Sequence, residues 1–458
     1  MNQRSHESGT AVHDKDETTA APPHADRPEP PDGDRPSHLP AKVVATLALL
    51  AAVAPLAIDM YLPAFPAMAI EFDTSASAVQ LTLTTFLIGL AAGQLVFGPL
   101  SDRYGRRPLL LIGTLVCAVF SAACALAPSI ELLAAARFVQ GFAGAAGIVL
   151  GRAVISDRAR GGAAAKLFGL LVVINAVAPV IAPLLGGMVV TGFGWRAVFW
   201  VLTLLSALMF VCVLTVLPET HPQERRTAGG SAAMLREARI VLRNRRYVGF
   251  TLAYAFAFGV MFAYISASPF VVQNVHGLST AWYTVVFTAN ALGLVVFSVA
   301  NGAVVARLGD RATLRIGLTL LAAFSAVMLI NSLVGPTLWV TLIALWATMG
   351  SLGLVIANAT TLALGQARQA AGTGSAILGA LQFLLAAAIS PLVGIGGEHT
   401  ATPMAFAMIV SAVIALGALT LTRENSARGG FTLLPTRTVA TQITTDASGR
   451  GRNAPNDG

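Results

Sequence analysis

The sequence predicts an all-helical membrane protein, with twelve transmembrane helices in two six-helix bundles and both termini in the cytoplasm. Three observations carry this. Hydrophobic residues make up 55% of the 458 and charged residues only 11%, where a soluble domain carries about a quarter charged. A surface so poor in charge must face lipid. Twelve apolar runs, each near the roughly 20 residues that one crossing takes, fill residues 42–422. Finally, arginine and lysine gather in alternate gaps between those runs.

Taken in order, residues 1–41 are rich in Pro, Asp, Glu, His and Ser and read as a disordered cytoplasmic tail. They are too polar at the start for a signal peptide. The first six spans lie near 43–67, 79–100, 109–127, 131–151, 167–190 and 197–217, giving an amino-terminal bundle over 42–217. Residues 218–247 form a cytoplasmic linker, in which Met234–Leu242 has helical spacing and basic residues, as a helix on anionic headgroups would. A solvated linker explains it nearly as well. The second six spans, near 248–273, 281–304, 316–334, 337–363, 372–396 and 402–421, give a carboxy-terminal bundle over 248–422. A second disordered tail takes 423–458.

The gaps after spans two, four, six, eight and ten hold 18 Lys and Arg residues, while the opposite gaps hold only Arg196. That asymmetry puts both termini in the cytoplasm and requires an even number of spans. It also disposes of nucleic acid as the reason for the net charge of +8, since no basic face is clustered on a soluble surface. Cys117, Cys124 and Cys212 lie in apolar runs, and all seven histidines lie in tails or loops, so no metal or disulfide framework is expected. Gly372–Gly379 is glycine-rich, but without a preceding strand or a following Lys-Ser/Thr it reads as helix packing, and direct ATP drive is not expected. A membrane-embedded enzyme would need ligands or acids clustered inside the bilayer, and no cofactor is implied.

The halves echo one another. Shifting by 204 residues aligns Gly98, Arg103, Gly105 and Arg107 with Gly302, Arg307, Gly309 and Arg311, as in carriers built from two parallel repeats around a central site. Residues 98–107, GPLSDRYGRR, resemble the signature G-x-L-x-D-R-x-G-R-[KR] of the major facilitator superfamily. Arg137-Phe-Val-Gln140-Gly141 resembles its fourth-helix motif R-x-x-Q-G. Asp59-Met-Tyr61-Leu-Pro-Ala-Phe-Pro66, Arg152-Ala-Val-Ile-Ser-Asp157, residues 194–199 and Leu217-Pro-Glu-Thr220 are similar to the Bcr/CflA group of drug–proton antiporters. Ala182-Pro183-Leu-Leu-Gly186-Gly187 is similar to the antiporter motif G-P-x-x-G-G, with alanine for the first glycine.

The resemblance implies export of small hydrophobic compounds in exchange for protons by alternating access, by a monomer in the inner membrane. A dedicated metabolite exporter is the alternative, and a proton-coupled importer fits less well. It also implies an inner gate at Gly98, Asp102, Arg103, Gly105, Arg106, Arg107, Arg152 and Asp157. Pro179, Pro183, Gly186 and Gly187 would make a bent, close-packed helix that prevents leak, although ordinary membrane-helix packing explains them as well.

Two intramembrane charges concentrate the chemistry. Asp59 is 17 residues beyond Lys42, roughly 25 Å along a helix. Arg137 is six residues beyond Glu131, roughly 9 Å from the other end of an oppositely directed span. Both then fall in the outer half of the bilayer, where a lone charge costs a few kcal/mol at least. Asp59 is the expected proton carrier, with Arg137 and Gln140 relaying its state; a purely structural Asp59–Arg137 pair is the rival. The carboxy-terminal bundle has no charge in its membrane interior. Gln273, Asn290, Asn358 and Gln382, amid Phe256, Phe258, Phe262, Tyr264 and Phe383 and joined by Tyr61, make the expected wall of a cavity for hydrophobic substrates.

Overall fold

The computed structural model describes residues 39–159, 161–225 and 231–422; the two tails assigned to disorder lie almost wholly outside them. Among the described residues there is no strand, and twelve segments are long and apolar enough to cross a membrane. The first is not a single helix. α1 (Ala41–Asp59) stops at the acid, a short 3-10 turn runs over Leu62–Ala64, and α2 (Phe65–Glu71) follows. Pro63 and Pro66 enforce the break, because each lacks the N–H a continuing helix needs. The rest of the amino-terminal half is α3 (Ala76–Tyr104), α4 (Arg106–Ala125), α5 (Ile130–Arg158), α6 (Gly161–Phe193) and α7 (Trp195–Val216).

The connecting segment carries α8 (Ser231–Arg243). Leu235, Ile240 and Leu242 are exposed on it among its arginines. The second half is α9 (Arg245–Phe270, extended by a π-turn to Val275), α10 (Thr280–Leu308), α11 (Asp310–Val334), α12 (Leu338–Gln366), α13 (Ala371–Leu392) and α14 (Thr402–Ala418). Ser75, Ser129 and Ser279 open α3, α5 and α10, each accepting a hydrogen bond from the N–H three residues on. The repeat seen in the sequence recurs in the backbone. Gly105 and Gly309 turn the corners α3–α4 and α10–α11 with φ of 97° and 78°, values that glycine reaches without strain.

Small residues let the helices close on one another, as expected where lipid is as apolar as the core. α3 and α5 approach closely. A Cβ at Gly141 would fall against the backbone of Phe86, 3.0 Å from its Cα, whereas one at Gly144 would meet nothing within 4 Å. Gly141→Val is therefore expected to destabilise the amino-terminal half by about 3 kcal/mol and Gly144→Val to leave it unchanged. Thermal melting of the purified protein reads the difference, and equal melting of the two variants would contradict it.

The bundle has two unlike ends. At the end away from the arginine-rich loops the halves are joined. The Gln80 side-chain amide donates to the Ser266 carbonyl at 3.0 Å, Gln273 donates to the Pro63 carbonyl at 3.2 Å, and the Phe65 and Phe270 rings lie 6.1 Å apart. At the basic end they part around a cavity of about 620 Å3, walled by α3, α5 and α6 on one side and by α8 and α13 on the other.

Candidate functional site

The break after α1 puts Asp59 at a helix end, 3% exposed, with no hydrogen-bond partner for its Oδ1 among the described residues. It faces the other half, where the hydroxyls of Tyr264 and Tyr283 lie within electrostatic reach. Asn290 donates to the Tyr264 hydroxyl at 2.9 Å, and Tyr264 stacks on Phe287. The expected acid and two of the expected cavity residues therefore meet at one seam.

Arg137 does not pair with Asp59. It is fully buried, and its Nη1 donates to Gln140 Oε1 at 2.7 Å, while the Gln140 amide donates to Ser121 at 2.7 Å. The guanidinium lies over three rings, 4.1 Å from that of Phe86, 4.4 Å from Tyr61 and 5.7 Å from Phe199. Aromatic faces attract a cation, but they do not replace a carboxylate, and Arg137 Nε and Nη2 have no hydrogen-bond partner among the described residues. Tyr61, whose hydroxyl lies 3.3 Å from Thr82 Oγ1, is thus part of the arginine's enclosure. In this arrangement it packs against Arg137 and does not line the open cavity.

The remaining cavity candidates divide. Phe258, Phe262 and Phe383 form an aromatic cluster with Tyr254, and the Tyr254 hydroxyl bonds Gln382. Tyr254 escaped the sequence reading, although it precedes Phe258 by one helical turn on the same face. Asn358 is spent elsewhere, donating to Asn301 Oδ1 at 2.7 Å across α10 and α12. None of the ten candidates is among the residues that line the open cavity.

The basic corner of the amino-terminal half is a dense network. Arg106 pairs with Asp102 at 2.7 Å and with Asp157 at 3.3 Å, and also bonds Ser101. Thr220 donates to Asp157 at 3.1 Å. Arg107 donates to the Leu214 carbonyl, and Arg103 lies 5.2 Å over the Tyr104 ring. Gly98 lines the cavity beside Asp102. Arg152 stands apart from this network. α5 continues to Arg158, so Arg152 projects from a helix rather than a loop and lines the cavity. Pro179 and Pro183 both lie within α6, while Gly186 and Gly187 bring it against Met60 and, in the other half, Thr284.

Glu219 was visible in the sequence only as part of the Leu217–Thr220 motif. Its carboxylate accepts from the backbone N–H groups of Arg106 at 2.9 Å and Arg107 at 3.2 Å, the open amino terminus of α4, and from those of Thr220 and His221. Partial burial raises its carboxyl, but these four N–H groups outweigh burial and hold it below the usual 4.5. A carboxyl lowered on folding stabilises the fold above its unfolded value and loses that contribution as pH falls through the folded one. Glu219→Gln is accordingly expected to cost about 1 kcal/mol at pH 7, the gap shrinking as pH falls below 4.5. Melting temperatures across pH check this, and a gap independent of pH would overturn it.

Known proteins agree with this architecture. The family model described as the Major Facilitator Superfamily matches residues 47–391. The chain is 39% identical over 381 residues to the uncharacterized MFS-type transporter YdgK of Bacillus subtilis (strain 168), covering 82% of this chain and 94% of that protein. It is 32% identical over 373 residues to the bicyclomycin resistance protein homolog of Haemophilus influenzae, covering 81% and 94%. It is also 32% identical over 385 residues to the chloramphenicol resistance protein of Pseudomonas aeruginosa, covering 82% and 90%. This multi-pass membrane transporter belongs to the major facilitator superfamily, in the group that holds the bicyclomycin and chloramphenicol resistance proteins.

Proposed function

We propose that the protein is a secondary active exporter of small hydrophobic compounds, driven by proton entry, in the inner membrane with both termini and the open cavity facing the cytoplasm. The observation that carries the reading is Asp59. A buried carboxylate without a donor is costly, whereas the neutral acid is tolerated. An acid at the seam between the halves therefore favours one arrangement when protonated and another when ionised, which is the requirement for coupling proton flow to alternating access. Arg137, Tyr61 and Gln140, in the same half as Asp59, act as the buried cation and relay behind that seam. The Asp102–Arg106–Asp157 network forms the gate of the basic end. The relatives named for resistance to bicyclomycin and to chloramphenicol, two chemically different antibiotics, support drug-sized cargo.

Efflux of chloramphenicol and a panel of hydrophobic antibiotics from cells expressing the protein, with and without a protonophore, tests the reading. Export that collapses with the proton gradient is expected. Export indifferent to the protonophore would remove proton coupling, and no export of any panel member would favour a dedicated metabolite exporter.

A further inference from the structure

Of the two arginines that line the cavity among the described residues, Arg106 is held in the gate network and Arg152 is not. Arg152 is six residues from the end of α5 at Arg158, roughly 9 Å inside the bundle, and is exposed to the cavity it lines. Two carboxylates share that cavity, and both are engaged. Asp102 pairs with Arg106 at 2.7 Å, and Glu237 of α8 accepts from the Thr373 hydroxyl at 2.6 Å. Arg152 itself makes no hydrogen bond or ion pair among the described residues. Its electrostatic neighbour is Tyr254 of the opposite half, whose hydroxyl is already bonded to Gln382.

An arginine at this depth in a membrane protein is costly unless it has a partner or serves passage through a cavity. Its planar fork suits a carboxylate, which it can bind through two parallel hydrogen bonds. The wall is mixed: Ile148 and Phe168 on one side and Ala376 on the other give an apolar strip, interleaved with Gln94, Ser156 and Ser375. At about 620 Å3 the space lies within the range of drug-sized sites.

We propose that Arg152 is the anchor for an anionic group on the cargo, so that the compounds carried include amphiphilic monoanions, with the carboxylate on Arg152 and the apolar body against Ile148, Phe168 and Ala376. This rests on the exporter reading and narrows it to a substrate class. It gives Arg152 a role in specificity in place of the one in the gate that the motif alone implied.

The test is equilibrium dialysis of the purified full chain in lipid nanodiscs, with fusidate and its methyl ester as probes. The wild type is expected to bind the acid about tenfold more tightly than the ester, about 1.4 kcal/mol. Arg152→Gln is expected to weaken the acid by that factor and leave the ester unchanged, which also shows that the variant is folded. Arg152→Lys keeps part of the preference. A wild type that binds no fusidate or does not prefer the acid overturns the inference. So does an Arg152→Gln that weakens both probes equally, as a gate or packing residue would. The readout needs neither transport nor a proton gradient, so its failure is separate from a failure of protonophore-sensitive chloramphenicol efflux.

Discussion

Asp59→Asn is expected to abolish protonophore-sensitive drug export, reducing it to the level of cells lacking the protein, while expression and substrate binding persist. The amide matches the neutral acid in shape and is never charged, so it keeps the packing at the end of α1 and removes the protonation step. Because Asp59 faces Tyr264 and Tyr283 across the seam, losing its charge removes the difference between the two arrangements of the halves that a proton would otherwise set. Asp59→Glu is expected to keep a fraction of the exchange. The measurement is efflux beside drug binding to the purified variant. Export that survives in Asp59→Asn would make Asp59 structural and direct the search to Asp102 or Asp157.

The second large effect is expected at Gly187. A Cβ there would meet the Thr284 side chain, 3.2 Å from its Cβ, across the contact between α6 and α10 that joins the halves at the closed end. Val at this position adds volume to a packed seam, an overpacking of about 1–3 kcal/mol. Because it acts only when that end is closed, it shifts the molecule toward the alternative state by roughly five- to 150-fold. Ser77, whose hydroxyl donates to the Pro391 carbonyl at 3.4 Å in the closed end, is the reporter. A Ser77→Cys single-cysteine variant is expected to react at least several-fold faster with an impermeant thiol reagent when Gly187→Val is added, and export should fall. Gly192→Val, further along α6 with nothing within 4 Å of its Cβ position, is the control. Unchanged labelling in Gly187→Val would show that α6 does not seal this end.

The spans were legible because apolar runs and arginine placement are local properties of the chain. The buried charges were legible too, since an acid or arginine within an apolar run has few other meanings. Their partners were not. Helical rise places Asp59 and Arg137 at similar depths, but only the proline-enforced break at 60–64 swings Tyr61 onto the guanidinium in place of the acid. Asn358 looked like a cavity donor until Asn301, 57 residues away, was seen to take its hydrogen bond. Arg152 read as a loop charge because apolar periodicity fades before α5 ends at Arg158. For Arg137 and Asn358 the deciding contact spans tens of residues, and no periodicity encodes it.

The contact between Glu219 and the start of α4 has a consequence for the order of events during synthesis. The N–H of Arg106 acquires its carboxylate from a residue 113 positions later in the chain. At roughly 5–20 residues per second, on the order of 6–20 s pass between the appearance of the two. The α3–α4 corner therefore has no access to this carboxylate until the sixth crossing has been synthesised. The closing contact of the α3–α4 corner is thus supplied by an acid just beyond the last crossing of the amino-terminal half.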